Sequence, residues 1–180
     1  MKAASRGDKL PTMTDDRVPP EFVGDERTLL NSWLDWQRAT LAVKCDGLSE
    51  EQLRERSVPP STMSLLGIVR HMAHVERAWF QRILADEDVP LLYDKETRPD
   101  CDFDDVDTAS APEAFTIWQT EIEHSRRVSS AMDLDALSKR LRNGRPVSHR
   151  RTLIHLIQEY ARHNGHADLL RQRIDGTTGE

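Results

Sequence analysis

Cysteine is almost missing from this chain: Cys45 and Cys101 are the only two among its 180 residues. They form no CxxC pair and are too few for a disulfide framework, so stability has to come from a packed core. A single Cys45–Cys101 bridge is the one pairing available. Two thiols in a reducing cytoplasm is the expectation adopted here, and the cytoplasm is the expected location. Long apolar runs are also missing. None approaches the ~18 residues that a membrane span requires, and the stretch from Met1 to Lys9 never develops the apolar region of a signal peptide. Positive charge is in deficit, with 25 Lys and Arg against 31 Asp and Glu and a net charge of -6. That balance gives no electrostatic reason to bind nucleic acid or an anionic membrane. P-loop, GxGxxG, GxSxG and HExxH patterns are all absent, as are internal repeats and low-complexity segments.

What the chain does have is helical periodicity. Hydrophobic residues make up 37% and charged residues 31% of it, a composition suited to one soluble domain with a real core. Residues 1–20 are polar and hold Pro11, Pro19 and Pro20, which predicts a loose N-terminal tail. A first helix is expected from about Asp25 to Lys44, on the stripe Leu29, Leu30, Trp33, Leu34, Gln37, Leu41. Gly47 closes it. Ser49 and Gln52 make a capping box for a short helix. Val58-Pro59-Pro60-Ser61 breaks the chain, and a second long helix is expected from about Ser64 to Leu84. A third covers about Pro112 to Met132, with Phe115, Trp118, Ile122 and Ser125 facing inward. A last helix runs from about Arg150 to Ile174, and Gly176 stops it. Between the second and third helices, residues 86–110 are acidic and broken by Pro90 and Pro99. Their spacing lacks the central Gly and terminal Glu of an EF-hand, so a solvated linker or lid is expected. Four long helices without a strand, joined by connections of about 20 residues, predict an all-α four-helix bundle with long crossover connections over residues 21–176. Residues 177–180 form a C-terminal tail.

The chemistry concentrates between Glu159 and Asp168. The last helix carries His155, Glu159, His163 and His166 on one polar stripe beside the apolar band of Leu156, Tyr160 and Leu170. Glu159 and His163 are four residues apart and so stand one turn above each other on one face. His155 and His163 are separated by a rise of about 12 Å, too much for both to reach one ion through bonds of about 2 Å. A site therefore takes one adjacent pair and a ligand from another helix. On the second helix His71 lies about 40° outside the apolar band, whereas His74 falls toward solvent by the same ~100° step. The expected metal ligands are thus His71, Glu159 and His163. His166 is the expected catalytic residue, through proton transfer or through support of His163. His74, His124 and His149 are expected to face solvent or to cap helices. Trp33, Trp36, Trp79 and Trp118 are expected in the core or at its rim. Neither cysteine has neighbours that make it a nucleophile.

Three segments carry a resemblance: Lys44–Leu53 followed by Val58-Pro59-Pro60-Ser61, Ser64–Phe80, and Glu159–Arg171. Together they resemble the DinB-like superfamily, and most closely its actinobacterial branch of mini-circle and DinB family proteins. The resemblance covers most of residues 21–176. It implies a four-helix bundle of DinB-like type that holds a divalent metal on three side chains, often three histidines. The related domain of mycothiol-dependent maleylpyruvate isomerase uses a His, Glu, His set, which falls here on His71, Glu159 and His163. The usual second His of DinB proteins is Glu159 in this chain, which makes the site anionic and leaves the metal open: zinc first, then nickel, manganese or iron. The resemblance further implies a transferase or isomerase that uses a low-molecular-weight thiol such as mycothiol on a small-molecule substrate, with a homodimer as one assembly. The alternative is a non-catalytic metal-stabilised bundle acting as a stress-related binding protein.

Overall fold

The computed structural model describes residues 17–179, so most of the expected N-terminal tail lies outside the described residues. The described chain is all-α. Its elements are α1 (Glu26–Cys45), α2 (Glu50–Arg54), α3 (Leu65–Glu76) running on as a π-helical segment (Arg77–Leu84), α4 (Cys101–Asp104), α5 (Ala111–Ser130) and α6 (His149–Asp175). Local chemistry sets the ends. Asp25, Ser49, Ser64, Ser110 and Ser148 each cap a helix N-terminus with a side-chain oxygen, satisfying amides that have no partner inside the helix. Ser49 and Gln52 form the expected reciprocal capping box. Gly176 ends α6 with φ 82°, a left-handed conformation that glycine adopts without a Cβ clash.

Helix α3 is central. Leu65, Leu66, Ile68, Val69, Met72 and Ala73 are buried nearly all round it, as expected for a helix with neighbours on every side. It packs against α2, α4, α5 and α6, while α1 lies along α6. The second long helix was expected to be regular up to Leu84. Instead its backbone widens from Arg77, and the Ala85 N–H bonds to the Phe80 carbonyl five residues back. A π-helical turn re-phases the side chains that follow it, which a fixed 100° step does not anticipate.

One buried polar group ties the four long helices together. Arg38 of α1 makes a two-pronged ion pair with Glu76 of α3, at 2.8 and 2.9 Å. The Tyr160 hydroxyl of α6 donates to Glu76 at 2.8 Å, and Trp118 of α5 donates its indole N–H to that hydroxyl at 2.8 Å. Glu76 and Tyr160 are fully buried, so each charge is stable only because the others are in place. Tyr160 neighbours Glu159 in the chain, so this network fixes the rotation of α6 on which the site depends.

The acidic stretch is not a solvated linker. Residues 101–104 form α4, Cys101 and Asp102 are buried, and Tyr93 and Phe103 lie over α3. Gly67 allows this close approach: a Cβ there would stand 3.0 Å from Phe103 Cδ1 and 3.3 Å from its Cα. Arg70 clamps the same segment by donating to the carbonyls of Cys101 and Asp102 at 3.1 and 3.0 Å, with its guanidinium over the Tyr93 ring. Two histidine expectations change with this packing. His74 is covered, with its ring stacked on Tyr93 at 5.9 Å. His149 is fully buried and bonds Ser129 Oγ at 2.8 Å through Nε2. His124 pairs with Glu87 at 2.9 Å. Of the tryptophans, Trp118 is fully buried, whereas Trp33 is exposed. Cys45 and Cys101 are both free thiols.

Candidate metal centre

Three side chains from two helices converge beside α4. His71 projects from α3, one turn beyond Gly67, and Glu159 and His163 project from successive turns of α6. One donor atom from each lies within 4.8 Å of the other two. Glu159 Oε2 is 3.9 Å from His71 Nε2 and 3.9 Å from His163 Nε2. The other carboxylate oxygen, Oε1, turns toward His155 Nε2 at 3.7 Å. His155 thus stands on the far side of Glu159, packed on Trp79 with ring centres 4.3 Å apart. His74 is outside the group as well.

Asp102 sets the state of His71. Its carboxylate is wholly buried and lies 2.7 Å from His71 Nδ1 and 2.6 Å from Lys95 Nζ. Burial alone raises a carboxyl pKa, but the hydrogen bonds to His71 and Lys95 outweigh it and bring Asp102 down to about 2. Asp102 is therefore a carboxylate, His71 donates from Nδ1, and the lone pair of Nε2 faces the centre. Burial likewise lowers the His71 pKa, and the carboxylates of Asp102 and Glu159 more than compensate, leaving it raised. His163 goes the other way. Burial and then the neighbouring His71 and His166 charges bring it down to about 4, so at neutral pH it is an uncharged donor. Glu159 is lowered, mainly by His71, and stays ionised. His166 approaches the opposite nitrogen of His163, Nδ1 to Nδ1 at 3.4 Å. It stands behind His163, not in the centre itself.

These residues fit a divalent ion in chemistry and nearly in spacing. Two imidazoles and one carboxylate are the protein ligands of one class of catalytic zinc site. Ligand bonds of about 2 Å place tetrahedral donors ~3.4 Å apart, and the 3.9 Å separations here are only slightly wider. Phe103 stacks on His71 at 5.0 Å and lies 6.1 Å from His163, an apolar wall that limits water on that side. On the other side a cavity of about 670 Å³ opens along α6, lined by His71, Glu159, His155, Trp79, Arg142 and Arg151 among others.

A family profile described as mycothiol-S-transferase matches residues 29–176. The chain belongs to the mycothiol-S-transferase family. This is a DinB-like family, in keeping with the resemblance carried by the three sequence segments. No curated protein matches the chain. All four residues singled out in the sequence, His71, Glu159, His163 and His166, fall within the part that matches the mycothiol-S-transferase family. Sequence reasoning missed Asp102, Lys95 and Phe103. They lie in an acidic stretch where nothing local separates the one buried carboxylate from its exposed neighbours.

No helix among the described residues is long and apolar enough to cross a membrane.

Proposed function

We propose that the protein is a metal-dependent thiol transferase. His71, Glu159 and His163 hold one divalent ion, with zinc the first choice and nickel, manganese or iron the alternatives. The thiol is of low molecular weight, with mycothiol foremost, and the acceptor is an electrophilic small molecule. The observation that carries this reading is the convergence of three donor atoms within 4.8 Å, with His71 held by Asp102 so that Nε2 faces inward. When bound, the ion supplies Lewis acidity, which lowers the pKa of a thiol toward neutrality.

The chain's own residues do the rest. Asp102 and Lys95 fix the His71 ring. His166 orients His163 through the far nitrogen and carries away the proton that the thiol releases. Phe103 keeps water from one flank, and the cavity along α6 admits the acceptor. The sulfur then forms a bond to the electrophilic carbon while a double bond of the acceptor opens or a leaving group departs with its electron pair. In the first case the proton ends on the acceptor carbon, and in the second it leaves with the departing group. Reversible addition to a double bond also permits cis–trans isomerisation. The DinB-like four-helix arrangement over residues 21–176 and a cytoplasmic location, where Cys45 and Cys101 stay reduced, belong to the same proposal.

The test is thiol consumption by the metal-loaded protein with a panel of electrophiles, with His163→Ala as control. Consumption by wild type and not by the variant supports the proposal. Bound metal without consumption for any thiol and electrophile pair would leave a non-catalytic metal-stabilised bundle.

A further inference from the structure

Along α6, Arg151, His155, Glu159 and His163 follow one another at intervals of four residues and so lie on one face. Glu159 and His163 belong to the candidate centre, and Arg151 stands at the opposite end of the cavity, on the first turn of the helix. Arg142, from the turn that precedes α6, meets it there. Both guanidinium groups rest on the same indole: Arg142 Cζ is 5.7 Å and Arg151 Cζ is 5.8 Å from the Trp79 ring centre. Both lower the His155 pKa from its other side, although burial is the larger cause.

Neither guanidinium has a carboxylate partner among the described residues. That is unusual in this molecule, which carries a net charge of -6 and pairs Arg38, Arg54, Arg56, Arg77, Arg98 and Arg150 with acids. Two like charges brought to one ring repel each other, and indole contact offsets only part of that. The arrangement is completed by an anion between them. Backbone amides at the start of α6 do not compete for it, because those of His149, Arg150 and Arg151 already donate to Ala136, Leu134 and Ser148. Next to the arginines the cavity wall is apolar, formed by Val75, Ala78, Ile83 and Leu91 with Trp79. Such a wall suits a flat unsaturated skeleton.

We infer that the acceptor is a carboxylate-bearing unsaturated or aromatic small molecule, its carboxylate held by Arg142 and Arg151 and its apolar skeleton against Trp79. This rests on the thiol-transferase reading for what happens at the other end. The helical rise from Arg151 to Glu159 is about 12 Å, so the reacting carbon lies within one small molecule's length of the carboxylate. Arg142 and Arg151 are specificity-determining residues, and their guanidinium forks match a carboxylate's two oxygens.

The test uses benzoate and its uncharged isostere benzamide, titrated calorimetrically at low ionic strength without thiol, on metal-loaded and on chelator-treated protein. Benzoate is expected to bind both forms, and benzamide about tenfold or more weakly. The Arg142→Ala/Arg151→Ala double variant is expected to lose benzoate binding by a similar factor. Arg145→Ala, on the same turn but outside the cavity wall, is expected to bind as wild type does. The inference is overturned if benzoate does not bind, if benzamide binds equally well, if the double variant binds benzoate undiminished, if Arg145→Ala loses as much as the double variant, or if chelation abolishes binding. Because the readout needs neither metal nor thiol, it can fail while the transferase reading stands, and the reverse.

Discussion

The buried Asp102 carboxylate lies 2.7 Å from His71 Nδ1 and thereby decides which nitrogen of His71 faces Glu159 and His163. A carboxylate brought down to about 2 accepts and cannot donate at neutral pH. His71 must then carry its proton on Nδ1, and Nε2 is the donor left for an ion. Asp102→Asn keeps the size and loses this constraint. It is expected to weaken metal affinity about 10- to 100-fold, measured by competition with a chromogenic chelator, with the helical circular dichroism spectrum preserved.

Gly67 is small because Phe103 needs its space. Gly67→Ala places a Cβ 3.0 Å from Phe103 Cδ1 and 3.3 Å from its Cα. The ring can rotate but the backbone atom cannot, so α4 must shift. A loss of about 1–3 kcal/mol is expected in urea unfolding, together with weaker metal binding because Asp102 and Phe103 move with α4. Unchanged affinity would show that α4 does not govern the His71 ring.

The Arg38–Glu76–Tyr160–Trp118 group holds the four long helices in register. Glu76→Ala strands the buried Arg38 charge and is expected to cost about 3–5 kcal/mol. Tyr160→Phe removes one hydroxyl and leaves the Trp118 N–H without its partner, at a cost of about 1–3 kcal/mol. Denaturant titration checks both, and the double variant should cost less than the sum, since the two share one network.

Acid should weaken the fold in a defined window. Burial holds His74 at about 4 against an ordinary value of 6.5, and it lowers His149 as well. Between those limits the unfolded chain takes up protons that the folded chain refuses. Stability is therefore fully present above 6.5 and declines as the pH falls toward 4, by up to about 1.4 kcal/mol per pH unit for each such group. His71 has a raised pKa and contributes with the opposite sign. Unfolding free energies measured across this window should rise with pH. His74→Phe, which keeps a ring against Tyr93 and binds no proton, should make that rise shallower.

The long helices were legible because their signals are local. Apolar stripes, serine and aspartate caps and Gly176 mark α1, α3, α5 and α6 to within a residue or two. Glu159 and His163 could be paired from helical spacing alone, and the structure brings His71 to them while leaving His74 under Tyr93. Asp102 was not legible. It is one Asp among several, and only the approach of α4 over Gly67 buries it. The π-helical segment escaped for a related reason, since its wider turn departs from the period on which the stripe was read. His149 looked like a surface residue at a helix start, yet it is buried against Ser129 of α5.

The most direct measurement is elemental analysis of purified protein after reconstitution and removal of loose metal, with Glu159→Ala and His163→Ala beside it. About one divalent ion per chain is expected in wild type, with a melting temperature that falls on chelation, and almost none in either variant. Wild type without bound metal, or variants that retain it in full, would contradict a metal centre at His71, Glu159 and His163.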